Sequence, residues 1–135
     1  MSKHNKGKEL LQDLFVLELA NNHLGDIKRG ESIISQYSKV VRYNKIKAAI
    51  KLQIRDVENF IHDDYKNYKK SRYISKTIST KLSKSSYKKL SDKIISSGCI
   101  AMATPFDEKS VDMCEELGYP IIKIASSDAN DWHLI

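Results

Sequence analysis

Short apolar runs alternate with stretches of helical periodicity along nearly the whole chain, and this alternation restricts the possible folds more than any other feature. Residues 15–20 (FVLELA) read as a first strand. Asp26 can cap a following helix whose apolar positions Ile27, Gly30, Ile33, Ile34, Tyr37, Val40 and Val41 fall at helical spacing. Residues 48–54 (AAIKLQI) read as a second strand, and the polar stretch 55–82 as a long loop, which in a compact domain is functional or flexible. Ser83 can cap a second helix with Tyr87, Leu90 and Ile94 on one face, and Gly98 can end it. Residues 99–103 form a third strand and 104–107 a turn. Asp107 can cap a third helix, with Val111, Cys114 and Leu117 facing inward and Gly118 at its end. Residues 120–125 form a fourth strand.

Strands and helices in this order predict an α/β fold of parallel βα units. Such units build either a doubly wound sheet or an eight-stranded TIM-type (β/α)8 barrel. The first loop lacks the glycine fingerprint of a dinucleotide fold, which favours the barrel. A complete barrel takes about 250 residues. Four strands in 135 residues therefore predict a half barrel over residues 15–135, preceded by an N-terminal extension over 1–14. The second half is expected elsewhere.

Composition narrows the class. At 41% hydrophobic residues the chain can bury a core. No apolar run approaches the roughly 20 residues of a membrane span. The polar, basic first eight residues lead into no apolar leader segment, so a cytoplasmic location is expected. Cys99 and Cys114 read as buried thiols rather than a disulfide or metal pair. The net charge of +6 hides a local +9 over residues 65–93, so the remainder is acidic. That segment is either a polyanion-binding patch or a solvated lysine face. The second reading is preferred, because no nucleic-acid motif accompanies the charge.

Parallel strands are covered on both faces and should be almost wholly apolar. Three of these carry an ion: Glu18, Lys51 and Lys123. Alternation sets Ala49, Lys51 and Gln53 opposite Ile50, Leu52 and Ile54, and Ile121, Lys123 and Ala125 opposite Ile122 and Ile124. If the apolar faces meet the helices, the ions share the inner face. An unpaired buried ion costs several kcal/mol, so three of them predict a common site. Two cations and one anion suit a ligand bearing a phosphate and a carboxylate. Loop donors follow the strands: Asn21, Asn22 and His23, then Thr104, then Ser126, Ser127 and Asp128. Each alone reads as a turn, cap or structural residue; their value lies in adjoining the charged strands.

Four segments resemble the sialic acid (N-acetylneuraminate) synthase family in order and spacing: residues 18–26 (ELANNHLGD), 50–53 (IKLQ), 103–107 (ATPFD) and 122–126 (IKIAS). The resemblance covers almost everything from residue 15 onward. It implies an enzyme that condenses phosphoenolpyruvate with the aldehyde of an open-chain N-acylated amino sugar such as N-acetylmannosamine, giving a nonulosonic acid. A divalent metal, Mn2+ or Mg2+, would polarise the aldehyde, its ligands coming from later strands and none from this chain. Carried over by position, Lys51, Thr104, Lys123 and Ser126 would hold phosphoenolpyruvate. Glu18 would move protons beside the sugar, and Asn22, His23, Gln53 and Asp128 would line the same mouth. The resemblance also implies a homodimer, with a C-terminal domain completing the site, and no membrane or nucleic-acid partner. Two positions depart from the family pattern: His133 replaces an expected proline, and residues 84–86 (KSS) lack expected acids. Without its second half the chain would be inactive. The competing readings are a non-catalytic remnant binding polyanions through 65–93, and a related aldolase acting on a phosphorylated sugar.

Overall fold

A computed structural model describes residues 3–66 and 71–135. Four strands, β1 (Leu14–Ala20), β2 (Lys47–Ile54), β3 (Ile100–Pro105) and β4 (Ile121–Ile122), form one parallel sheet in sequential order. Among the described residues six helices accompany them: α1 (Lys3–Leu11), α2 (Ile27–Asn44), α3 (Val57–Phe60), α4 (Arg72–Ser79), α5 (Lys84–Ser96) and α6 (Glu108–Glu116). The α/β class and the parallel βα arrangement read from the sequence are those of the structure.

The punctuation residues act as their chemistry predicts. The Asp26 carboxylate accepts from Lys28 N–H at 2.8 Å, Ser83 Oγ from Ser86 N–H at 3.1 Å, and the Asp107 carboxylate from Ser110 N–H at 2.8 Å. Each satisfies a donor that the first turn of a helix leaves unpaired. Gly98 (φ 84°) and Gly118 (φ 70°) close α5 and α6 in the left-handed region.

Alternation along the strands decides the core. Ile50, Leu52 and Ile54 of β2, with Ala101 and Ala103 of β3, turn toward Ile34 and Val41 of α2, Tyr87, Leu90 and Ile94 of α5 and Cys114 of α6. Full burial of side chains such as Ile50, Leu52 and Leu90 contributes about 1.5–3 kcal/mol each. Cys99 and Cys114 are buried free thiols, as expected, and burial pushes the Cys114 thiol up to about 12.

Four features differ from the sequence reading. The stretch taken as a loop after β2 contains α3, a short 3-10 turn over Asp63–Tyr65, and α4. Its Ser-, Thr- and Lys-rich composition hides the pattern of α4, whose inward positions are the half-buried Ile74 and the buried Thr77, and whose first turn is capped by Ser71 at 3.4 Å. On α2 the inner stripe runs through Gly30, Ile34, Ser38 and Val41, leaving Val40 exposed. Ser38 is tolerated inside because its hydroxyl donates back to Ser35 C=O at 3.0 Å. β1 carries a bulge: Glu18 pairs with Lys51 and Ala20 with Leu52, so Leu19 is an extra residue that drops fully into the core, and Ala20 adopts φ 48°. β4 is short because it has a neighbour on one side only; the ladder runs one bond further, from Lys123 N–H to Ala103 C=O at 2.8 Å. The N-terminal residues add α1, tied to the start of β2 by Lys47 Nζ, which donates to Glu9 C=O at 2.6 Å.

The loop after β1 and α4 lock together at Gly25. Its φ is 78°, and a Cβ there would lie 2.5 Å from the Ser79 carbonyl oxygen. The approach is backbone to backbone, so any other residue there would force the end of α4 away from the loop after β1.

Candidate active site

The parallel register puts Glu18 of β1 directly beside Lys51 of β2, and Gln53 beside Thr104 of β3. All four lie on the sheet face opposite the helix-packed core. Lys51 is 5% exposed, yet its charge is compensated: Nζ lies 2.6 Å from the Glu18 carboxylate and donates to Thr104 Oγ1 at 3.1 Å. The Glu18 side chain is 49% exposed and presents this ion pair to solvent. Pairing thus removes the cost of a buried cation and leaves an anion-attracting ammonium beside a carboxylate and a hydroxyl at the strand ends.

A cavity of about 290 Å³ adjoins this cluster. Its walls are Asn21 and Asn22 after β1 and Gln53 and Arg55 at the end of β2, and α4 roofs it through Tyr73 and Lys76. The Arg55 guanidinium stacks 3.9 Å from the Phe106 ring centroid, with the Phe60 ring on it at 5.4 Å. Arginine can only donate, which orients the Asn21 amide: its oxygen accepts from Arg55 Nη1 at 2.6 Å. Sequence reading passed over Arg55, Tyr73 and Lys76. For Arg55 the signal was present, since it follows β2 directly and keeps the parity of residues 51 and 53. For Tyr73 and Lys76 it was absent, since only the docking of α4 brings them to the sheet.

Of the residues singled out in sequence, Glu18, Lys51 and Thr104 meet directly, while Asn21, Asn22 and Gln53 line the neighbouring cavity. Lys123 does not join the cluster: it is exposed, and its Nζ donates to Ile124 C=O at 3.1 Å. With only two residues of β4 in the sheet, nothing holds its side chain toward Lys51. Ser126 and Asp128 lie on a short 3-10 turn after β4, Ser126 exposed and one Asp128 carboxylate oxygen buried without a partner among the described residues.

His23 is fully buried. Gly25 N–H donates to its Nδ1 at 3.0 Å, so Nδ1 is unprotonated and the proton sits on Nε2. Burial holds its pKa below the ordinary value of 6.5. The unfolded chain therefore binds this proton first as pH falls. The stability contributed by neutral His23 is complete above about pH 6.5 and declines below it. We expect the urea midpoint to drop between pH 7 and pH 5, and the drop to shrink in His23→Gln. Equal pH dependence in both proteins would refute it.

Among the described residues no three His, Cys, Asp or Glu side chains gather into a metal-ligand set, and no helix is long and apolar enough to cross a membrane. In the basic segment 65–93, Lys66 pairs with Asp63, Lys81 with Glu58, Lys84 with Glu116 and Lys88 with Asp92. Lys69 and Lys70 lie outside the described residues. These four pairs compensate part of the segment's charge locally.

The sequence profile of the NeuB family matches residues 44–135. The chain belongs to the NeuB family. A Chromobacterium violaceum protein named for spore coat polysaccharide biosynthesis (protein E) superposes with a TM-score of 0.86 at 36% identity, covering 91% of this chain and 37% of that one. The N-acetylneuraminic acid (sialic acid) synthetase of Leptospira borgpetersenii, solved with citrate, superposes at 0.73 and 24% identity, covering 90% of this chain and 39% of that one, and shares the fold. An uncharacterised Methanocaldococcus jannaschii protein is 32% identical over 114 residues, 84% of this chain and 31% of its own length. The chain thus spans between three and four tenths of these relatives. Lys51, Gln53, Thr104, Lys123, Ser126 and Asp128 fall inside the stretch matched by the NeuB profile; Glu18, Asn22 and His23 precede it.

Proposed function

We propose that this NeuB-family chain is the first half of a TIM-type barrel in a synthase that joins phosphoenolpyruvate to an N-acylated amino sugar such as N-acetylmannosamine. The observation that carries the reading is the Glu18–Lys51–Thr104 cluster at the C-terminal strand ends, where this architecture places its chemistry. Lys51 and Thr104 supply a cation and a hydroxyl to the phosphate and carboxylate of phosphoenolpyruvate. C3 of phosphoenolpyruvate attacks the aldehyde carbon and a C–C bond forms. The Glu18 carboxylate, at the rim of the cluster, relays to the aldehyde oxygen, charged as the C–C bond forms, the proton that the attacking water gives up at C2. Water adds at C2, the C2–O bond breaks and inorganic phosphate leaves, giving a nonulosonic acid. Lys123 and Ser126 join this site when a following strand flanks β4.

The resemblance also calls for a divalent metal, Mn2+ or Mg2+, at the aldehyde. The described residues do not form its site. Glu18 is the single acid in the cluster and is engaged by Lys51, and His23 Nδ1 is engaged by Gly25. The remaining barrel, a partner subunit in a homodimer and a cytoplasmic setting belong to the same proposal.

The test is turnover by the protein that carries this chain, with phosphoenolpyruvate and N-acetylmannosamine in 18O-labelled water. C–O cleavage leaves the released phosphate unlabelled. Phosphate that carries label, or no release with any N-acylated hexosamine, would overturn the reading.

A further inference from the structure

One carboxylate outside the cluster bonds to two separate segments. Asp107 Oδ1 accepts from Ser110 N–H at 2.8 Å and caps α6, while Oδ2 accepts from Asp56 N–H at 2.8 Å, just past the end of β2. A helix cap needs only the first of these bonds, and Ser or Thr supplies it as well. The second bond continues the sheet. Ile54 pairs with Pro105, and Phe106 N–H donates to Ile54 C=O at 3.1 Å. In a continued parallel ladder the next donor, Asp56 N–H, would turn to a main-chain carbonyl at the end of β3. The Asp107 side chain receives it instead, from a backbone that is itself extended (φ −162°, ψ 161°).

The same two strand exits are tied by two further contacts. Lys109 Nζ lies 3.1 Å from the Asp56 carboxylate, and the Arg55 guanidinium lies 3.9 Å from the Phe106 ring centroid. From α5, Tyr87 donates its hydroxyl to Gln53 C=O at 3.3 Å. The clamp thus closes the end of the sheet that carries the Glu18–Lys51–Thr104 cluster.

The contact inside that cluster is sensitive to strand position. Lys51 is level with Met102 and Thr104 with Gln53, so Lys51 Nζ reaches Thr104 Oγ1 diagonally across β2 and β3. At 3.1 Å the bond is already near the long end of the normal range, about 3.2 Å. Any slack between the two strand exits lengthens it, and a displacement of about 1 Å at a reacting group can cost about 100-fold in rate. Resting on the synthase reading above, we propose that Asp107 is a positioning residue: it clamps the exit of β2 to that of β3 and thereby holds Lys51 against Thr104 for turnover.

Asp107→Ser separates the two jobs of this side chain, because Ser keeps the cap of α6 and cannot span to Asp56 as well. In the protein that carries this chain, amide exchange at Asp56 should quicken and acylation of the Lys51 amine, read by mass spectrometry, should rise about three- to tenfold, the population change of one lost hydrogen bond. The KM for phosphoenolpyruvate should rise by a similar factor. In a Thr104→Val background, where the contact is already gone, adding Asp107→Ser should change neither Lys51 acylation nor this KM further. A plain capping role would leave Lys51 acylation unchanged, and a general loosening of the fold would raise it equally in both backgrounds; either result overturns the proposal. Should Asp107→Ser not fold, Asp107→Asn, which keeps the size and one acceptor oxygen, carries the same comparison. Acylation needs no turnover. If no sugar is condensed, the synthase reading fails, and the clamp still stands or falls on the Lys51 acylation rates.

Discussion

Replacing Glu18 by Gln should lower turnover by about 100- to 10,000-fold, the usual contribution of a positioned general acid–base group. The geometry makes the result diagnostic, because Glu18 has two separable jobs. On the proposed reading its carboxylate moves a proton at the sugar. In the structure it also compensates Lys51, which is 5% exposed and 2.6 Å away. Gln keeps the shape and an acceptor oxygen but loses the charge. Breaking a fully buried pair costs about 3–5 kcal/mol. The Glu18 side chain is 49% exposed, so the loss should be smaller, on the order of 1–3 kcal/mol. An anion at Lys51 would restore part of it, so phosphoenolpyruvate should raise the melting temperature of Glu18→Gln more than that of the unmodified protein. A variant with near-normal turnover, or one that melts lower without any response to phosphoenolpyruvate, assigns Glu18 the plain role of counter-ion.

Lys51→Met should raise the KM for phosphoenolpyruvate by about 10- to 150-fold while the fold survives. The size follows from removing one or two charge-assisted contacts to the ligand, about 1.5–3 kcal/mol in total. The fold should tolerate the change because Met fills most of the lysine volume and removes a buried charge instead of orphaning one. The carboxylate left behind can be hydrated, since Glu18 reaches solvent. Thr104→Val tests the same site from the other side: it removes the hydroxyl that Lys51 Nζ donates to at 3.1 Å, and should raise the same KM by a smaller factor. Steady-state kinetics with phosphoenolpyruvate as the varied substrate measures both. Unchanged KM in the two variants would separate the cluster from phosphoenolpyruvate altogether.

The caps and the core faces of the central strands were legible in the residues themselves. Asp26, Ser83 and Asp107 terminate helices through bonds to donors two or three residues away, and a contact so local needs only sequence. Strand alternation is equally local. It placed Lys51 and Gln53 opposite Ile50, Leu52 and Ile54, and that division is the one between site and core. It also implied that ions on separate strands would meet, and for Glu18 and Lys51 they do, because parallel register sets them side by side.

Where neighbours decide, sequence reading fell short. α4 has Ile74 and Thr77 as its inward residues in a field of Ser and Lys, so its periodicity carries little signal; its place over the site needs the close backbone approach of Ser79 that a glycine at 25 permits. The sequence could not show that Leu19 bulges into the core, since a bulge is a mismatch between two strands and neither strand records it alone. Lys123 alternates inward on paper, yet β4 has a single neighbour and releases it toward Ile124. Composition and spacing therefore determined the βα order, the helix ends and which strand residues are polar. Only the tertiary structure decided which of those polar groups share a charge, and that Arg55 and Lys76, some twenty residues apart in the chain, face one cavity. The physical reason is that caps and alternation are set by bonds within a few residues, whereas pairing of charges and closure of a cavity depend on distances that chain order does not encode.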